Sequence, residues 1–456
     1  MNSPERNLVQ QALAFLGSLW LTVILLGLSI ILVFIGTLAQ VGSGIWTVMD
    51  QFFRCWFVKI GGVIPVYPGG RLLGAALLVN LLISHSARIK VQARGPRLLV
   101  GLAILAVGTA LTWFVISHVS DYDSTQRTID PSLRILVQII QGLGPAAVLF
   151  VGCWLLFRRK AGIVLLHAGV VILMLSELYT SVQAEEGQMT VFEGQRINYV
   201  EDNRSAELAI IDASDPEKDD VVVVPQKKLE KGGSIRLEGL PFDVEVAPDQ
   251  FYKNADLAPA RGGDANPATQ GAGLRIKAQN RAENSGVDTS SRVDLPAAYV
   301  TFKDRGSNAS LGTWLTSVRY TIEKGAQTLR AGGKDYRIAL RFKRTYKPYG
   351  VYLYQFKFDR YTGTDTPKDY SSNVRIDDPE RNIVRDVRIW MNNPLRYRRD
   401  TLYQSSFDAE TEKGTVLQVV TNGGWMAPYA GLGQVFVGLV GQFLLHLFGF
   451  LRKQLP

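Results

Sequence analysis

Apolar residues in this chain fall into long uncharged runs near its two ends, while the charges crowd the middle. No charged residue occurs between Arg6 and Asp50. Within that stretch Leu13 to about Leu38 is long enough to cross a bilayer, which takes about 20 residues. A cleaved signal peptide has an apolar region of roughly 7–15 residues. This run is longer and its basic lead is weak, so it is expected to stay as a first helix. Leu72 to Ser86 is short and bracketed by Arg71 and Arg88, which fits a short span or a re-entrant piece. Leu98 to Val119 carries no charge. Ile135 to Phe157 contains Gly142, Gly144 and Pro145, which predict a kink or a late start. Ala161 to about Val182 holds Glu177 in its outer half, and Ala427 to Leu451 is again uncharged.

Lysine and arginine then orient the spans, because they concentrate on the cytoplasmic side. Arg88, Lys90, Arg94 and Arg97 follow the second run, Arg158, Arg159 and Lys160 follow the fourth, and Arg452 and Lys453 follow the last. All fall on one side if the chain crosses six times. Both termini are then cytoplasmic, the mixed-sign loop Asp121 to Arg134 is outside, and so is the middle of the chain.

That middle, about Gln183 to Gly424, is on the order of 240 residues, enough for one or two compact domains. It alternates with the period of strands: Val221 to Val224 is β-branched, and Ser234 to Leu237 and Phe242 to Val246 switch between polar and apolar. Tyr352, Tyr354, Phe356 and Phe358 are spaced two apart, which places them on one face of a strand from Val351 to Asp359. Between Asn254 and Ser291 the composition turns to Ala, Gly, Asn, Asp and Ser. A loop or insertion with one short strand, Leu274 to Lys277, is expected there. The fold class is an α-helical integral membrane protein of about six spans with a large β-rich extracytoplasmic domain inserted before the last span. The expected domains are 1–182 (membrane, up to five spans), 183–424 (β-rich, with the 254–291 insertion) and 425–456 (last span and cytoplasmic tail).

The net charge of +9 changes this picture little, since part of it lies in short loops beside the spans and no recognition motif accompanies it; no nucleic-acid partner is expected. Cys55 and Cys153 are the two cysteines and form no CxxC pair, so neither dithiol chemistry nor a disulfide-built domain is available. The four histidines, His85, His118, His167 and His446, all lie in or beside the apolar runs. The middle therefore has no Ser-His-Asp set, which argues against most acid–base enzymes there and leaves carboxylate-only chemistry open. No catalytic residue is assigned, and the chain is read as a non-catalytic or co-catalytic subunit.

Several segments, in order, carry a resemblance. Gly17–Ser18–Leu19 leads through the first run to Gly36–Thr37–Leu38–Ala39–Gln40. Leu166–His167–Ala168–Gly169 lies in the fifth, followed by Gly187–Gln188–Met189 and Glu193–Gly194. Thr366 to Ser372, Met391–Asn392–Asn393–Pro394–Leu395–Arg396–Tyr397 and Leu402–Tyr403–Gln404–Ser405–Ser406–Phe407 precede Trp425 to Tyr429. Together these resemble the ResB/CcsB family of system II cytochrome c biogenesis. Ala39 stands where the family has Pro, and the family has three spans before its domain rather than five.

The resemblance implies a membrane subunit of a haem-delivery, holocytochrome c synthase complex in a bacterial inner membrane. It would move haem b outward and attach it to apocytochrome c with a CcsA-like partner, which carries the tryptophan-rich motif this chain lacks. Imidazole is a common axial ligand of haem iron, and histidine inside lipid is costly. His167 is the first candidate ligand, roughly 7 Å to the inner side of its span's midpoint. His446 is expected at a similar depth, roughly 8 Å inside its own midpoint. His118, at an outer end, could meet haem as it leaves, and His85 reads as a solvated residue at an inner end. Arg385, Arg388, Arg396, Arg398 and Arg399 could face carboxylates or a solvated strand surface. The alternatives are a membrane-anchored scaffold or sensor without haem, and a transporter subunit with an exported domain.

Overall fold

A computed structural model describes residues 4–118, 131–215, 218–263, 265–285, 293–363, 367–408 and 411–454. Most of the loop expected outside, Asp121 to Arg134, lies outside the described residues, as do Thr366 of the motif and the end of the 254–291 insertion. The chain divides into two compact units: residues 1–34, 51–198 and 348–456, and residues 35–50 with 199–347. The division falls inside the long strands Arg196–Asp212 and Lys334–Arg360.

Helix α1 (Pro4–Leu16) stops at Gly17–Ser18, where Ser18 Oγ accepts from the backbone N–H of Leu21 and starts α2 (Leu19–Ala39). There follow α3 (Gly70–Arg88), α4 (Pro96–His118), α5 (Pro131–Phe157), α6 (Ala161–Gln183) and α7 (Ala427–Gln454). Among the described residues, five apolar helical stretches are long enough by length and composition to cross a membrane; one of them, Leu136–Gln183, is 48 residues long. It is broken by the 3₁₀ turn Arg158–Lys160 into α5 and α6, with Arg158 at φ 51°. The outer surfaces of these helices are apolar and exposed, as at Leu26, Ile30, Trp113 and Phe443. In a chain with this pattern that surface belongs to lipid: the protein is a membrane protein with a large β-rich domain.

Close packing of α6 on α7 rests on glycine. A Cβ at Gly169 would lie 2.6 Å from the Gly431 carbonyl oxygen, and one at Gly438 would lie 2.6 Å from the Leu166 nitrogen. Only hydrogen fits, so the backbones meet, as small residues allow between helices in lipid. Helix α5 runs on through Pro145, and Gly142 lets the Gly433 turn of α7 approach in the same way.

In the first unit, the strand Glu185–Phe192 that leaves α6 pairs antiparallel with Gly414–Thr421, the strand that leads into α7. Glu185 lies opposite Thr421. The first and last strands of the domain thus bring the two helix ends together and set the α6–α7 pair. The sheet continues through Asp400–Phe407 to Leu395–Tyr397 on one side. On the other side, the second half of Lys334–Arg360 pairs with Pro367–Asp378, which pairs with Ile383–Trp390.

One expectation fails here. The register with Pro367–Asp378 slips between Leu353 and Gln355, leaving Tyr354 as a bulge. A bulge inserts one residue and switches the face of everything after it. Phe356 and Phe358 therefore join the face of Leu353 and pack on Phe407, with ring centroids 5.6 and 4.5 Å away. Tyr352 stays opposite, 4.8 Å from Tyr354. The four aromatics do not share a face.

The second unit holds Ser310–Ser317, Ala297–Asp304, Phe242–Val246 and Gly233–Ile235 side by side. Phe242, Val244 and Val246 point inward onto Phe302, Leu208, Ile210 and Tyr336. Asp220–Pro225 and Phe242–Val246 form strands where the β-branched run and the alternation, respectively, predicted them. The stretch expected as a loop with one strand is more regular. Ala255–Pro259 and Ile276–Asn280 pair along their length. Side chains supply what its small residues lack: Asn254 donates to the Ala282 carbonyl, and Tyr299 Oη accepts from the Ala278 N–H.

Candidate functional site

Helix α3 is anchored by Asn80, a buried polar side chain. Its amide donates to the carbonyls of Leu16 (2.6 Å) and Ser18 (3.1 Å), the ones exposed by the α1–α2 break, and its oxygen accepts from Thr22 Oγ1 at 2.7 Å. Below it Arg88 donates to the Gly17 carbonyl, and Lys160 donates to that of Arg88. These contacts hold the start of α2 and the basic end of α3 beside the start of α6.

Between them lies a cavity of about 520 Å³. Leu19, Leu26, Leu77, Ile163, Val170 and Met174 give it apolar walls, and Arg88 and Lys160 stand at one end. His85 of α3 and His167 of α6 both line it, with ring centroids 4.2 Å apart and planes at 47°. Each Nδ1 lies on a carbonyl one turn back, His85 on Leu81 at 3.0 Å and His167 on Ile163 at 2.7 Å. A carbonyl can only accept, so each Nδ1 carries a proton, and in the neutral imidazole the lone pair is then on Nε2, where a ligand can be bound. Backbone partners of this kind fix both tautomer and ring direction.

The other predicted ligands stand elsewhere. His118 is exposed at the end of α4, stacked 4.6 Å from Phe114. His446 is exposed on α7. Gln442, one turn before it, accepts from the Ile163 N–H and donates to the Arg159 carbonyl, which levels Gln442 with the start of α6. His446 is thus about 15 Å from the level of His167 along the helices. The expected match in depth fails because the register of α7 on α6 follows their glycines, which no estimate from the midpoint of a span contains.

His85, read from the sequence as a solvated residue at an inner end, is placed by the structure against His167. It precedes Arg88 by three positions, and His167 follows Lys160 by seven. The two basic clusters were read on one side, so antiparallel helices would carry both imidazoles near the inner surface. That was the available signal.

Of the basic residues near the closing motif, Arg398 is committed to Asp378 and Glu380, and Arg388 lies 3.8 Å from Asp369. Arg396 lies over the Trp425 ring, 3.6 Å from its centroid. Trp425 in turn meets Tyr429 edge-on at 6.0 Å, which caps the entry into α7. Tyr349 donates to Asp400 at 2.6 Å and Tyr397 to Asp378 at 2.5 Å, the two rings meeting edge-on 5.1 Å apart.

These features define a class: a membrane protein in which α6 and α7 join the first and last strands of one β domain, and α6 faces α3 with a histidine on each. Residues 315–443, the strands that close the domain and most of α7, match the ResB-like family. A 97-residue stretch is 34% identical to Protein NrfI of Wolinella succinogenes, covering 21% of this chain and 11% of that protein. The alignment thus spans about a tenth of the relative. Over this region the chain is similar to the ResB-like family, in agreement with the resemblance that the motifs from Asn393 to Phe407 carry.

Proposed function

We propose that this protein is a haem-handling membrane subunit in cytochrome c biogenesis, working beside a CcsA-like partner to deliver haem b for attachment to apocytochrome c. One observation carries the reading: facing His85 and His167 imidazoles with free Nε2 atoms in an apolar cavity that ends in Arg88 and Lys160. Haem, the cargo, has the complementary parts: an iron that takes imidazole, an apolar plate, and carboxylates suited to cations. The cavity volume is within the range of about 300–1,000 Å³ usual for small-molecule sites.

The geometry also restricts how the cargo is held. Two imidazoles on opposite faces of one iron must stand well apart, since each metal–nitrogen bond alone is about 2 Å. Rings 4.2 Å apart leave no room for the plate between them. Loading therefore uses one imidazole first, or draws α3 and α6 apart. In this reading the membrane is the bacterial inner membrane, both termini and the basic clusters are cytoplasmic, and the β-rich domain is periplasmic. Arg88 and Lys160 then put the receiving end on the cytoplasmic side. The thioether bonds use the thiols of the apocytochrome and the vinyls of haem, so this chain contributes position.

The test is a reduced-minus-oxidised absorption spectrum of the detergent-purified protein, co-expressed with a CcsA-like partner, as wild type and His167→Ala. A b-type signal that falls at least several-fold in the variant is expected. Absence of haem from a folded wild-type complex would overturn the reading and leave a membrane-anchored scaffold.

A further inference from the structure

Between α2 and α3 the chain forms a β-hairpin that the proposed function does not use. Strands β1 (Phe57–Ile60) and β2 (Ile64–Pro68) pair antiparallel, with Ile60 opposite Ile64. The turn has Gly61 at φ 61° and Gly62 at φ 75°, and the Val63 N–H returns to the Ile60 carbonyl. Two successive positive φ values are the demand of a tight hairpin turn, and glycine meets it without strain.

A hairpin standing in water alternates polar and apolar side chains. This one does not. From Trp56 to Pro68 its one charged residue is Lys59, and it has no Ser, Thr, Asn, Asp, Gln or Glu. Trp56 (55% exposed), Ile60 (65%), Val63 (76%) and Ile64 (63%) are all uncovered, and so are Phe57 and Val66.

Its base fixes its depth. Val58 packs in one cluster with Leu25, Leu32 and Leu73. Tyr67 Oη donates to the Leu28 carbonyl, near the middle of α2, at 2.9 Å. Asn80 of α3 is level with the first turn of α2. From there α3 rises only about 15 Å to Gly70, whereas α2 rises about 26 Å from Thr22 to Ala39. The hairpin thus leaves α3 about 10 Å below the apolar end of α2.

We propose that β1–β2 is a membrane-inserted hairpin that buries its tip, Ile60 to Ile64, in the outer part of the bilayer. Its occupant is lipid. Trp56 and Lys59 have the chemistry of the interface, where aromatic rings and snorkelling amines settle. A hairpin has two unpaired edges that the hydrocarbon centre would not tolerate, but the interface supplies water and head groups. Pro65 and Pro68 also remove two backbone donors from β2, a common way to blunt an edge. The hairpin would brace the outer ends of α2 and α3 and keep the His85 helix from sliding along its axis. The proposal rests on reading α2 and α3 as spans.

The test uses the full chain in lipid nanodiscs, with Cys55→Ser and Cys153→Ala, and one spin label at Val63→Cys or, separately, Ile64→Cys. Collision with oxygen reports lipid and collision with a water-soluble nickel chelate reports solvent. Ile30→Cys on α2, 70% exposed and away from the cavity, is the lipid reference and Glu380→Cys the aqueous one. The expected result is high oxygen and low nickel accessibility at both hairpin positions, like Ile30. Nickel accessibility like that of Glu380 would overturn the proposal in favour of a solvated hairpin. Low accessibility to both would overturn it in favour of a protein neighbour. If the Ile30 label itself failed to report lipid, the reading of the spans would fail first.

Discussion

Arg398 donates to Asp378 through both arms of its guanidinium, Nε to Oδ2 at 2.8 Å and Nη2 to Oδ1 at 2.9 Å, and the carboxylate is fully buried. Arg398 makes this pair from a backbone position with φ 52°. It sits in the turn between Leu395–Tyr397 and Asp400–Phe407. The bidentate pair and the Tyr397 hydroxyl on the same carboxylate offset that local cost. They tie the Asn-Pro-Leu-Arg-Tyr segment to the strand Pro367–Asp378, so this motif has a structural explanation independent of haem.

Asp378→Ala should therefore leave the partly buried Arg398 with only the exposed Glu380, take the acceptor from the Tyr397 hydroxyl, and destabilise the domain by up to about 3–5 kcal/mol. Tyr397→Phe removes only a hydroxyl and should cost about 1–3 kcal/mol. Hydrogen exchange of the amides in 367–378 and 395–407 measures both. Equal, negligible effects would show that the cluster does not hold these strands.

The same carboxylate sets an acid limit. Burial alone would raise the pKa of Asp378, but hydrogen bonds from Tyr397 and Arg398 outweigh it and hold the pKa below its ordinary 3.8. A depressed folded-state pKa adds stability that is fully present above the unfolded value and is lost as pH falls through the folded one. Amide protection of these strands should fall on acidification below pH 3.8, and Asp378→Asn should flatten that dependence.

The α6–α7 contact should be intolerant of volume. At Gly169 a Cβ would meet the Gly431 carbonyl and the Val435 nitrogen. Gly169→Leu should lower stability by at least about 1–3 kcal/mol, the usual cost of overpacking. Gly27→Leu, at a glycine with open space around it, should be nearly neutral. Thermal unfolding in detergent compares them.

Among the histidines, His85→Ala should lower haem retention several-fold, as His167→Ala should, because both imidazoles line one cavity. His118→Ala and His446→Ala should leave it within about twofold, a margin that corresponds to less than 1 kcal/mol. Haem per protein in the co-purified complex reads this directly. A loss with His446→Ala and none with His85→Ala would reverse the assignment.

Asn80→Leu should act on the same site at a distance. It removes two bonds to the α1–α2 break and one from Thr22. Hydrogen bonds between membrane helices average about 0.6 kcal/mol, so the loss should total about 2 kcal/mol. Haem retention should drop while the β-domain amides keep their protection. Unchanged retention would show that α3 holds His85 in place without this anchor.

Much of this was legible in the chain. The helices follow from run length, because a bilayer demands about 20 apolar residues and internal hydrogen bonds. Arg158–Arg159–Lys160 marked the break between α5 and α6, and alternation marked Phe242–Val246. His167 was legible as a costly residue in an apolar run. His85 was less so, since a histidine near a basic end is ordinarily solvated, and only the packing of α3 against α6 gives it a partner.

What the sequence determined by itself is therefore what depends on local composition: which segments are helices or strands, which surfaces are apolar, and where a special chemistry is too costly to be accidental. What only the tertiary structure decided depends on register. The bulge at Tyr354 reverses the faces of the aromatics after it. The glycine contacts of α6 and α7 carry His446 away from the depth of His167. Asn80 sets the height of α3 and so brings His85 to His167. Each turns on a shift of one residue or one helical turn, which sequence spacing alone does not specify because it is fixed by contacts between segments far apart in the chain.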